Sequence, residues 1–101
     1  MNSRNVVKVF QANDFVKFIN TSERFVKGAI IYAKEISDNI FLLFVMENEE
    51  CEQINALLAN YDALEDIGVT EPYHVMFFHS ICKDDDIYFF EKYFKLQNHE
   101  A

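Results

Sequence analysis

A chain of 101 residues, half of them hydrophobic and 16% aromatic, has the length of one domain and enough apolar material for one core, so 1–101 reads as a single folded domain. Only Gly28, Gly68 and Pro72 are glycine or proline, which excludes a disordered or low-complexity chain. Seventeen acidic residues against nine basic ones give a net charge of −8, which disfavours direct nucleic-acid binding and makes a basic partner the natural counterpart.

The imbalance is unevenly spread. Residues 1–36 hold six Lys or Arg and three acids, whereas 37–101 hold three Lys and fourteen acids. The N-terminal residues have no signal-peptide core, and the longest nearly uncharged stretch, 36–46, is too short to cross a bilayer. The expectation is a soluble cytoplasmic protein with no membrane contact. Cys51 and Cys82 are too few for a disulfide framework and read as reduced, partly buried thiols.

In chain order, the β-branched run at 5–10 suggests a strand. Asn13 then precedes a short helix that places Phe15, Phe18 and Ile19 on one face. Residues 24–36 and 40–46 are rich in Val, Ile, Phe and Tyr around Ser37, Asp38 and Asn39, the pattern of a hairpin. A long helix follows, with Ile54, Leu57, Leu58, Tyr61 and Leu64 as its apolar stripe and Gly68 as its stop. Residues 73–81 read as a further strand with Pro72 at its margin. The order βαββαβ is that of a ferredoxin-like α+β fold, an antiparallel sheet with two helices on one face. The aromatic segment at 84–97 adds a C-terminal helix or strand.

The third strand is apolar on both faces, with Ile40, Leu42, Phe44 and Met46 opposite Phe41, Leu43 and Val45. Val75 and Phe77 against Met76 and Phe78 repeat the pattern. A second apolar face requires a cover, either the C-terminal segment or another molecule, so a homodimer through the sheet face is one expectation.

Motifs for catalysis are absent: there is no Gly-rich phosphate loop, metalloprotease helix or nucleophile elbow. His74, His79 and Cys82, with Cys51 as a fourth ligand, make a poor zinc set, because the two histidines point to opposite faces of a regular strand. Asp84, Asp85 and Asp86 lack the spaced oxygen ligands of a calcium loop and suit a helix start or turn. Cys82 beside His79 lacks an orienting group and an oxyanion donor. No catalytic residue, metal or cofactor is assigned, and the chain reads as a non-enzyme.

The remaining constellation is acidic: Glu47, Glu49, Glu50, Glu52, Asp62, Glu65, Asp66 and Glu71, with Tyr61 and Tyr73 as aromatic anchors. On a helix, Glu52, Asp62, Glu65 and Asp66 can share the face opposite the apolar stripe. A solvated face is the plain reading; a docking surface for a basic cleft is the sharper one. In size, acidity and lack of catalytic motifs the chain resembles toxin-neutralising immunity proteins and phage anti-defence inhibitors, including anti-CRISPR proteins. That resemblance implies a nucleic-acid mimic that blocks the basic channel of a nucleic-acid-processing enzyme. The alternative is a dimeric ferredoxin-like ligand- or haem-binding protein, with His74 or His79 as the axial candidate.

Overall fold

The computed structural model describes residues 3–48, 53–83, 86 and 90. Along them run helix α1 (Ser3–Ala12), strands β1 (Val16–Ile19), β2 (Ile30–Ser37), β3 (Ile40–Met46) and β4 (Ile54–Asn60), a 3-10 turn (Leu64–Asp66) and strand β5 (His74–Ile81). The strands form one sheet in chain order, each antiparallel to the next. This overturns the ferredoxin-like expectation, since no α-helix lies between strands among the described residues and the order is a meander behind an N-terminal helix.

Three elements exchange their expected types. The run at 5–10 is helical because Val6 and Phe10, one helical turn apart, are both buried, while Arg4, Asn5 and Lys8 face out. The helix ends where Asp14 turns left-handed (φ 68°) and the Phe15 N–H donates to Phe10 O at 3.1 Å. This is a Schellman-type closure, accompanied by contact of the Phe10 and Phe15 rings at 5.5 Å. Residues after it, expected as a helix, become β1 and pair with β2 from Val16↔Ala33 to Ile19↔Ile30.

The largest reversal is the expected long helix, which is instead β4, a loop and the 3-10 turn. β4 lies between β3 and β5 and buries side chains on both faces, Ile54 and Ala56 on one and Leu57 and Ala59 on the other. In a strand buried on both sides almost every position is apolar, so a helical stripe can be drawn through it by accident. The hairpin turn is where the sequence places it, although its first strand begins at Ile30 and the expected residues 24–29 are loop; Asn39 is in the left-handed region (φ 60°) and its N–H donates to Glu35 Oε2 at 3.0 Å. β5 also matches its expected strand, with an irregularity that leaves Met76 unpaired between Val75↔Ala59 and Phe77↔Leu58. The aromatic segment expected at 84–97 lies largely outside the described residues.

Both faces of the central strands are covered by the chain itself. On the first, Ile30, Tyr32, Leu42, Phe44, Met46, Ile54, Ala56 and Ile81 pack with Val6 and Phe10 of α1, Phe15, and Phe90 from the C-terminal segment. The second carries Ile31, Ala33, Phe41, Leu43, Val45, Leu57 and Ala59. Its cover is two loops, which contribute Ala29, Phe25, Tyr61, Leu64 and Ile67. Residues 20–29 and 61–70 thus cover the central strands on that second face, whereas Met76 and Phe78 of β5, part of the apolar pattern that suggested a homodimer, are exposed. No helix among the described residues is long and apolar enough to cross a membrane.

Candidate functional site

The two covering loops are held by a hydrogen-bond centre at Asn20, whose side chain is 1% exposed. Its Nδ2 donates to the carbonyls of Ser22, Phe25 and Val26 at 3.0–3.1 Å, and its Oδ1 accepts from Ser22 N and Oγ. Thr21 N, Thr21 Oγ1 and Ser22 N all donate to the Gly68 carbonyl, tying the first loop to the second. Gly68 takes φ +82°, with Asn20 Cα and Ile19 O 3.5 Å from where a Cβ would sit. The sequence reading missed this centre, because a single Asn carries no signal of which backbone groups it will reach.

The second loop leads into an acidic depression of about 190 Å³ lined by Tyr61, Asp62, Asp66, Thr70, Glu71 and Tyr73. Tyr73 is 73% exposed and donates its hydroxyl to Asp62 Oδ2. That hydrogen bond, with the charges of Asp62 and Asp66 and a small desolvation, raises the Tyr73 phenol above its ordinary range. Glu65 is exposed on the 3-10 turn, and Val69 is an exposed apolar neighbour in the chain.

Of the expected acidic set, Asp62, Glu65, Asp66, Glu71 and Tyr73 therefore fall at one end of the sheet. Glu47 follows β3 at the opposite end, one strand length or roughly 20 Å away. The single helical face expected for these groups does not exist. Glu49, Glu50 and Glu52 lie outside the described residues.

Tyr61, expected as an exposed anchor, is instead 1% exposed and packs edge-on against Phe41 at 6.0 Å. Its hydroxyl is buried with no hydrogen-bond partner among the described residues. Burial pushes the phenol up to about 12, against a smaller opposing effect of the Arg24 cation. A folded value above the unfolded one near 10 means that the stability is fully present below pH 10 and is lost as pH rises through 12, by about 2 kcal/mol at pH 12. Tyr61→Phe removes the unpaired hydroxyl at little cost in shape. The expected result is about 1 kcal/mol of added stability at pH 7 and a shallower alkaline decline, read by urea denaturation at both pH values.

At the Glu47 end a larger open cleft, about 600 Å³, lies between the first loop and the sheet and includes Arg24, Phe25, Val45, Glu47 and Asn55 in its lining.

The other candidates separate. The irregularity in β5 returns His74 and His79 to the same side of the sheet, but they pair with Asn60 and Ala56, roughly 13 Å apart along the strand. His79 contacts the Phe90 ring at 6.0 Å. Among the described residues no three His, Cys, Asp or Glu side chains gather for a metal. Cys82 is exposed, against the expectation of a partly buried thiol, and Cys51 is outside the described residues. Asp86 accepts from Cys82 N and Lys83 N and so caps a turn, while Asp84 and Asp85 are not described. Set against protein families, curated proteins and solved structures, the chain matches none of them.

Proposed function

We propose that this chain is an acidic protein-binding domain acting inside the cell, whose Asp62–Tyr73 end occupies a basic cleft of a nucleic-acid-processing enzyme. The observation that carries the reading is the grouping of Asp62, Asp66 and Glu71 around an exposed tyrosine, in a chain with no Lys or Arg from residue 35 to 82. Carboxylates at such a surface stand in for phosphates and accelerate encounter with a positive partner, while Tyr73 and Val69 supply apolar contact. The hydrogen bond from Tyr73 to Asp62 holds the ring in place before binding, which reduces the ordering cost.

The test is capture of the partner at low salt followed by binding measurements across a salt series. Affinity is expected to fall by about tenfold or more between low and high ionic strength, and a nucleic-acid duplex is expected to compete. The combined Asp62→Asn, Asp66→Asn and Glu71→Gln variant is expected to lose at least about tenfold in association rate with its stability nearly unchanged. Salt-insensitive binding, or a variant that binds as well as the parent, counts against the proposal.

A further inference from the structure

We propose that the cleft at the Glu47 end of the sheet binds a small zwitterion, an α-amino acid with an apolar side chain, with its carboxylate at Arg24 and its ammonium at Glu47. The cleft is at the opposite end of the sheet from Asp62 and Tyr73, and its role does not depend on the protein-binding one. Its volume of about 600 Å³ is in the range of small-molecule sites. Buried Ala29 and Val45 and half-buried Phe25 supply apolar lining, and Arg24 and Glu47 are exposed.

Two opposite charges line this cleft, and among the described residues neither side chain is in an ion pair. A simple anion would meet the Glu47 carboxylate. A simple cation would meet the Arg24 guanidinium. A molecule carrying both charges satisfies both groups, and its apolar body takes the Ala29, Val45 and Phe25 surfaces out of water.

The lining is also preorganised. The loop presenting Arg24 and Phe25 is fixed by Asn20, and the Arg24 N–H donates to Ser22 Oγ at 3.3 Å. On the sheet side, Asn55 Oδ1 accepts from Gln53 Nε2 at 3.3 Å and from Ser80 Oγ at 3.1 Å. These bonds orient the Asn55 amide and leave its Nδ2 to donate to a ligand oxygen. Rigid donors of this kind lower the ordering cost that otherwise weakens binding of so small a molecule.

The experiment is titration of the isotope-labelled full chain with L-leucine and L-phenylalanine, followed by backbone amide shifts. Saturable shifts are expected around residues 24–29, 45–48 and 53–55, with a Kd of about 1 mM or tighter. L-leucinamide, which lacks the carboxylate, and N-acetyl-L-leucine, which lacks the ammonium, are each expected to bind at least about tenfold more weakly than L-leucine. Arg24→Gln is expected to abolish the preference for leucine over leucinamide, and Glu47→Gln the preference over N-acetyl-leucine, with shifts elsewhere unchanged. The absence of saturable shifts up to roughly 10 mM overturns the assignment. Equal binding of the three leucine compounds to the parent chain, or preferences that persist in the variants, also overturns it.

Discussion

Asn20→Asp is expected to destabilise the protein by about 4 kcal/mol at neutral pH, although the two side chains have nearly the same shape. The Asn20 amide shares its two N–H groups among three carbonyl oxygens, and the exchange would aim a carboxylate at those oxygens in a buried position. Both the lost donors and the buried charge act in one direction. The introduced carboxyl would have a folded pKa raised above its unfolded value near 4, because only its protonated form donates. A raised folded value means that the stability is retained below the unfolded pKa and lost as pH rises, so the deficit should shrink near pH 4 and grow toward pH 7. Asn20→Ala should cost about 3 kcal/mol with no such pH dependence. Urea denaturation of both variants at the two pH values decides the matter; equal, pH-independent losses would show that the amide protons are not what holds the loop.

Phe44→Ala is expected to cost about 4 kcal/mol, a large share of the stability of a small domain. Phe44 is fully buried, stacks on Phe10 at 4.4 Å, lies 5.5 Å from Phe15 and meets Phe90 edge-on at 5.3 Å. It therefore joins the sheet to α1, to the helix-terminating turn and to the C-terminal segment at once. Truncation leaves a cavity bordered by aromatic rings that cannot all move into it. Leu43→Ala, on the opposite face, is expected to cost about 3 kcal/mol while leaving the packing of α1 in place. Hydrogen exchange separates the two: amides of Val6–Phe10 should lose protection more than the sheet does in Phe44→Ala, and in parallel with it in Leu43→Ala. A loss under about 1 kcal/mol for Phe44→Ala would mean that the helix is not seated on this ring.

Several elements were legible from local chemistry. The hairpin at Ser37–Ile40 was, because β-branched and aromatic runs flank turn residues and Asn39 tolerates a left-handed backbone. β5 was, because Pro72 and a run of strand-forming residues mark its start. The burial of both sheet faces was visible in residues 40–46, and the C-terminal segment was one expected cover, to which Phe90 contributes on the first face; the two loops over the second face were not foreseen. The excess of acidic residues beyond residue 36 was legible in composition alone. The expected grouping of these acids on one helical face failed because Ile54–Asn60 is a strand, which leaves Tyr61 buried and Glu47 at the opposite end of the sheet from Asp62.

By itself, then, the amino-acid sequence determined the size of the core, the net negative charge, its concentration beyond residue 36 and the existence of a strand buried on both sides. These are sums or short-range patterns, set by side-chain chemistry wherever the chain travels. Only the tertiary structure decided that Ile54–Asn60 pairs with two neighbours instead of coiling, that Val6 and Phe10 form a helix over the sheet, and that Asn20 and Gly68 clasp two loops over its second face. In each case propensity differences of a few tenths of a kcal/mol per residue were outweighed by burial of whole side chains and by backbone hydrogen bonds between distant segments. Those contacts exist only once the chain has folded, and no local window of the sequence contains them.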